Sequence, residues 1–261
     1  MSAPITNKKW LPFRTEAIFH RKGIVMVRIQ KRGTLYQLSF MPSLFPVNCY
    51  IVEEEKSLTL IDAALPFSAA AIMNMVKQLG KPIGHIVLTH AHEDHIGSVD
   101  KLKAIMPDVP VCISARDARI LQGDLSIDAH EAQKPVKGGV PKRMRTRPDV
   151  ELEAGDRIGS LEAVFTPGHT PGSMSFLDTR NKHLIAGDAF QTRGGTAVAG
   201  TLKPMFPFPA FGTWDKQTAI ESAKQIEFLR PSLLASGHGY VISNPESAIR
   251  QAIGEAERKL S

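Results

Sequence analysis

Cysteine is nearly missing from this chain. The 261 residues include two, Cys49 and Cys112, far apart and in no CxxC pair. That excludes a disulfide framework and a thiolate metal cage, and it fits a reducing compartment. No apolar run approaches the length of a membrane span, and the N-terminal MSAPITNKKWLPFRTEAIF has no apolar core of the signal-peptide kind. A cytoplasmic protein without a membrane partner is therefore expected. Repeats and low-complexity segments are absent, and so is a Gly-rich nucleotide loop. Ser173 has no Gly-x-Ser-x-Gly elbow around it, so turn chemistry accounts for it better than nucleophilic chemistry.

Hydrophobic residues make up 43% and charged residues 22% of the chain, an ordinary globular balance that can bury a core without staples. Short runs rich in Ile, Leu and Val end in polar residues: SLTLID at Asp62, HIVLTH at His90, KHLIAGD at Asp188 and SLLASGH at His238. Such runs fit buried strands. Helical spacing lies between them. Ile72, Met75, Val76 and Leu79 share one face ahead of Gly80, and Ala219, Ala223, Ile226 and Leu229 share another. A last helix is expected with Asn244 as N-cap and Pro245 in its first turn. GIVMVRIQKRGTLYQLSF suggests a hairpin around Arg32-Gly33. This is an α/β chain whose strand ends collect the polar residues, and loops after strands are where such folds build sites.

The densest of those loops is LTHAHEDHIGS, which packs His90, His92, Glu93, Asp94 and His95 into six positions. Burying them together without a cation would cost several kcal/mol or force their pKa values apart. His90 and His92, one residue apart in extended chain, can point to the same side. Imidazole nitrogens and carboxylate oxygens are normal ligands of a zinc-like divalent ion. Beside this cluster, His169 in TPGHTPGS, Asp188 in AGDAF and His238 in SGHG become candidate ligands too.

Together these residues resemble the metallo-β-lactamase superfamily. His90, His92, Asp94 and His95 match its HxHxDH motif, and Asp62, His169, Asp188 and His238 match its other motifs in order, over roughly residues 47 to 238. The resemblance implies a four-layer αβ/βα sandwich, here one domain over 1–261 with an N-terminal strand extension over about 1–40 and a Pro/aromatic-rich crossover over about 190–214. It implies two divalent ions, zinc with iron or manganese as substitutes. His90, His92 and His169 would hold one, Asp94, His95 and His238 the other, and Asp188 would bridge them. Asp62 would stand behind the ligands and hold the histidine loop. Antibiotic-degrading zinc enzymes usually carry cysteine where Asp188 stands, and flavodiiron proteins carry HxExDH, so both activities are disfavoured. The pattern is closest to glyoxalase II-like thioesterases and acyl-homoserine lactonase-like enzymes. One helix follows His238, so a glyoxalase II-type helical substrate domain is not expected, which weakens glutathione thioesters as substrates.

The expected activity is hydrolysis of a small-molecule ester, lactone or thioester by a hydroxide held between the metals. Asp94 would pass the proton, and Glu93 is expected to face solvent. A nuclease or phosphodiesterase of the same superfamily is the alternative. It draws on the net charge of +6 and the basic run from Lys134 to Asp149, which also reads as a solvated loop. Nucleic acid is not expected as a partner. A non-catalytic metal-fold sensor is a third reading. The segment Phe190 to Trp214 reads either as a lid over an apolar substrate or as plain packing, and the Tyr240 hydroxyl either as a donor to an oxyanion or as structural.

Overall fold

The computed structural model describes residues 13–20, 23–141 and 144–260, with side chains described from residue 26 onward. Lys142 and Arg143 of the basic run lie outside the described residues. Eight strands form one sheet in chain order: β1 (Phe13–His20), β2 (Gly23–Arg32), β3 (Leu35–Phe40), β4 (Val47–Glu53), β5 (Leu58–Ile61), β6 (Ile83–Val87), β7 (Val111–Ser114) and β8 (Val150–Leu152). Neighbours are antiparallel from β1 to β5 and parallel from β5 to β8. The expected hairpin joins β2 to β3, with Gly33 in the left-handed region at φ 56°. The first forty residues thus supply three strands of this sheet.

A second sheet draws on β9 (Arg157–Ile158), β10 (Leu161–Phe165), β11 (Met174–Asp178), β12 (His183–Gly187), β15 (Leu233–Ser236) and β16 (Ile242–Ser243), in the spatial order β16-β15-β12-β11-β10-β9. A ribbon of β13 (Phe190–Gln191) and β14 (Ala197–Val198) stands apart. The helices are α1 (Ala69–Leu79), α2 (Glu93–Ile96), α3 (Val99–Ile105), α4 (Ala115–Leu121), α5 (Phe208–Gly212), α6 (Lys216–Leu229) and α7 (Glu246–Leu260).

Alternation along the strands builds the layers. Tyr50, Val52, Ile61 and Val87 of the first sheet pack against Phe176, Ile185 and Leu233 of the second. Their neighbours Ile51, Leu60 and Ile86 turn the other way, onto Ile72 of α1 and Leu102 of α3. Leu184 and Leu234 likewise turn onto Ile226 of α6 and Ile249 of α7. Strands buried on both faces have to be apolar on both, which is why they read as continuous runs. The outcome is helices, sheet, sheet, helices: the αβ/βα sandwich.

Helix ends follow local chemistry. Gly80 closes α1 at φ 68°, a left-handed position that costs glycine nothing. The Asp215 carboxylate accepts from Thr218 N at 2.7 Å and caps α6. The last helix starts one residue later than its sequence suggests. Pro245 O accepts the first helical bond, from Ile249 N, while Asn244 takes a left-handed turn at φ 51°. Among the described residues no helix is long and apolar enough to cross a membrane.

Candidate metal centre

Loops after five strands converge at one edge of the two sheets. The β5 end delivers Asp62, the β6 end His90 to His95, the β10 end His169, the β12 end Asp188 and the β15 end His238. Asp62 adopts φ 60°, a conformation that aspartate tolerates better than most residues. Its carboxylate accepts from Thr89 N at 2.8 Å, from Thr89 Oγ1 and from His95 Nδ1 at 2.8 Å. One buried acid thereby fixes both the start of the histidine loop and the His95 ring.

Each histidine is held by one nitrogen and offers the other. His95 Nδ1 donates to Asp62, His238 Nδ1 to Pro46 O at 2.7 Å and His92 Nε2 to Lys137 O at 2.8 Å. Thr89 Oγ1 gives its proton to Asp62, so it accepts from His90 Nδ1 at 3.0 Å. Thr213 Oγ1 gives its proton to Pro209 O, so it accepts from His169 Nδ1 at 3.1 Å. Five outer acceptors therefore set five tautomers, inferred from the hydrogen-bond network, with the inner nitrogen lone pairs aimed at a common centre.

The inner atoms fall into overlapping groups. His90, His92 and His169 form one, Asp94, His95 and His238 a second, and His90, His95 and Asp188 a third; within each, ligand atoms lie within 4.8 Å of one another. Asp188 reaches both sides: Oδ2 is 3.4 Å from His169 Nε2 and 3.1 Å from His238 Nε2, and Oδ1 is 3.5 Å from His95 Nε2. Asp94 Oδ2 lies 3.3 Å from His238 Nε2. Glu93 sits beside them, exposed.

The donor set fits metal. His90 Nε2, His95 Nε2 and Asp188 Oδ1 are buried with no hydrogen-bond partner, at roughly 1–3 kcal/mol each for a buried polar atom left unpaired. A methyl group on Gly237 would collide with Asp188 Oδ1 and the His95 ring, and one on Gly138 with the His92 ring. Glycine at both positions leaves the centre open. Among the described residues, the other close group of possible ligands, Asp128, His130 and Glu131, has both carboxylates tied to Arg119 and Arg116.

Charge in the metal-free cluster is arranged in two halves. Burial opposes a proton on His238, but Asp188 and Asp94 outweigh it and lift its pKa to about 10. Burial also opposes one on His95, and Asp188, Asp62 and Asp94 again win, lifting it well above the usual range. Burial holds His169 down to about 3, with help from His92 and His95, against the pull of Asp188 and Asp94. Burial likewise holds His90 well down, together with His95, His92 and His169. Both shifts favour a second proton on the inner nitrogens of His95 and His238 in the metal-free cluster, and ligation would expel it to free the lone pairs. We expect zinc loading at pH 7 to release about two protons per chain, and affinity to rise with pH. Calorimetry in buffers of different ionisation enthalpy measures this; zero release would contradict it.

Several supporting residues gave no signal in the sequence. Asp117 resembles an ordinary first-turn acid of α4, yet it is fully buried. It accepts from Ala91 N at 2.9 Å, Thr170 Oγ1 at 2.7 Å and Gly172 N at 2.8 Å, tying the two histidine loops together. Ser173 Oγ accepts from Thr170 N at 3.0 Å, within a turn. Both segments left open by the sequence reach the mouth. Gly138 and Gly139 come from the basic run, and Phe208, Phe211 and Gly212 from the crossover, where they meet Phe45. The Phe45 ring stands 5.7 Å from that of His238 and 4.9 Å from that of Phe208.

Known proteins resemble this chain. YobT of Bacillus subtilis (strain 168) is 57% identical over 89% of this chain and 100% of its own length. The probable metallo-hydrolase YflN of the same organism is 31% identical over 82% of this chain and 88% of its own. The crystal structure of TTHA1623 in a di-iron-bound form has a TM-score of 0.59 at 25% identity, covering 79% of this chain and 93% of that one. The family described as the metallo-beta-lactamase superfamily matches residues 42–238. That span contains every histidine and carboxylate of the cluster, and with the sandwich around them it establishes that the chain belongs to the metallo-β-lactamase superfamily.

Proposed function

We propose that the chain is a two-metal hydrolase of a small-molecule ester, lactone or thioester, working with zinc and accepting iron or manganese. The observation that carries this reading is the set of five inward imidazole nitrogens around Asp188, each fixed from outside by a separate acceptor. His90, His92 and His169 would hold one ion, Asp94, His95 and His238 the other, and Asp188 both. Two divalent ions in such a cradle supply a water acidified toward neutral pH and a Lewis acid for the bond being cut.

The chain's own residues do the rest. Asp94 is partly open to the pocket and lies against His238. Its carboxyl is held well below the usual range by His95 and His238 despite burial, so it enters the reaction ionised and can take a proton there. Phe45, Phe208 and Phe211 wall the mouth, with Phe208 53% and Phe211 66% exposed. Rings left in water beside a polar centre suit an apolar acyl or aryl group and exclude water once it binds.

The test strips the metal with a chelator, reloads measured zinc, iron or manganese, and assays lactones, thioesters, phosphodiesters and β-lactams at equal metal content. Hydrolysis of a lactone, ester or thioester should vanish on stripping and return on reloading. Faster cleavage of the phosphodiester would replace this reading with the phosphodiesterase one.

A further inference from the structure

The polar groups around the metal cluster do not account for two arginines on its far side. Arg28 stands on β2 and Arg193 just after β13, with Tyr240 between them, two residues past His238. The Arg28 guanidinium carbon lies 4.6 Å from the centre of the Tyr240 ring. Both guanidiniums interact electrostatically with Tyr240, Arg28 the more strongly. Arg193 Nη2 donates to Ser43 O at 2.7 Å, two residues before Phe45. Thr192 Oγ1 accepts from Tyr240 N at 2.6 Å and so holds Arg193 and Tyr240 side by side.

Two like charges packed around one phenol need a counter-charge. Among the described residues neither guanidinium is ion-paired with a carboxylate. Three of their nitrogens are also unspent. Arg28 Nε and Nη2 and Arg193 Nε are buried without a hydrogen-bond partner. On Arg28 these two nitrogens form one edge of the guanidinium, with parallel N–H bonds at the spacing of two carboxylate oxygens. Ser39, the cross-strand partner of Arg28, has a buried Oγ without a partner as well. Tyr240 is 44% exposed, so the group reaches the surface at the tyrosine, beside the buried guanidinium nitrogens. The Ser43–Phe45 loop separates it from the aromatic mouth.

We propose that Arg28, Arg193 and Tyr240 form a carboxylate receptor, one loop away from the metal pocket, that holds an anionic tail of the substrate. Placing that carboxylate on the substrate rests on the hydrolase reading; the receptor itself does not. The Arg28 edge takes both oxygens, Arg193 Nε and the Tyr240 hydroxyl add single donors, and the ligand's charge balances the arginine pair.

The first measurement needs no turnover. Succinate is titrated calorimetrically into the metal-loaded full chain at constant ionic strength, for wild type and for Arg28→Gln, Arg28→Lys and Arg193→Gln. Metal content and circular dichroism are matched between them. Wild type should bind saturably, and each variant about tenfold or more weakly. Arg28→Lys belongs with the weak binders because it keeps the charge and loses the fork. Equal succinate affinity in all four proteins overturns the receptor. Arg193→Gln, in a surface loop, keeps the test decisive if the β2 variants fail to fold. The second measurement compares two esters that differ only in a terminal carboxylate. Their ratio of kcat/KM should fall about tenfold or more in Arg193→Gln. An unchanged ratio alongside lost succinate binding would overturn the substrate placement and assign the receptor to a free carboxylate. Absence of hydrolysis of either ester with succinate binding intact would count against the hydrolase reading alone.

Discussion

Asp188→Ala is expected to lose metal and turnover together. This carboxylate touches ligands of both groups, His169 and His238 through Oδ2 and His95 through Oδ1. Its own pKa is held far down by His238 and His95 even though burial opposes the charge. Removing it leaves several buried imidazoles without their shared anion. The protons on His95 and His238 lose much of their cause, because Asp188 is the largest of the influences that raise either pKa. Elemental analysis should find about two ions per chain in wild type and about one or fewer in the variant, with hydrolysis down by roughly a hundredfold or more. Full occupancy with full activity would remove Asp188 from the centre.

Asp94→Asn and Glu93→Gln should separate two neighbouring acids. Asp94 faces His238 across 3.3 Å, whereas Glu93 is exposed at the first position of α2. An amide at 94 keeps the size and one ligating oxygen but cannot accept a proton at neutral pH. Turnover should fall roughly a hundredfold or more with at least part of the metal retained, the loss expected for a positioned proton-transfer group. Glu93→Gln should keep its metal and most of the rate. The comparison is made at equal measured metal content; a dead Glu93→Gln beside an active Asp94→Asn would reverse the assignment.

The sequence by itself determined the class of fold and named the histidines and aspartates that the structure gathers at one sheet edge. Ligand types in HxHxDH, with later histidines and aspartate each closing an apolar run, are local features, and strand ends advertise themselves where a β-run meets a polar residue. Helix stripes were legible for the same reason: α1 and α6 each bury one face, so their periodicity survives in the residues. Of the groups that face the candidate ligands from outside, Asp62 was legible and the others were not. Pro46, Lys137 and Pro209 act through backbone carbonyls, which any residue would supply, and Asp117 differs from a common helix-start acid only in being buried. Arg28 and Arg193 are 165 positions apart and meet only because the first sheet and the loops after β12 and β15 close on one another. Contacts made by backbone atoms, and charges paired or left unpaired across such distances, depend on which surfaces meet. The tertiary structure alone decides that, because packing two sheets face to face brings together residues that have no relation along the chain.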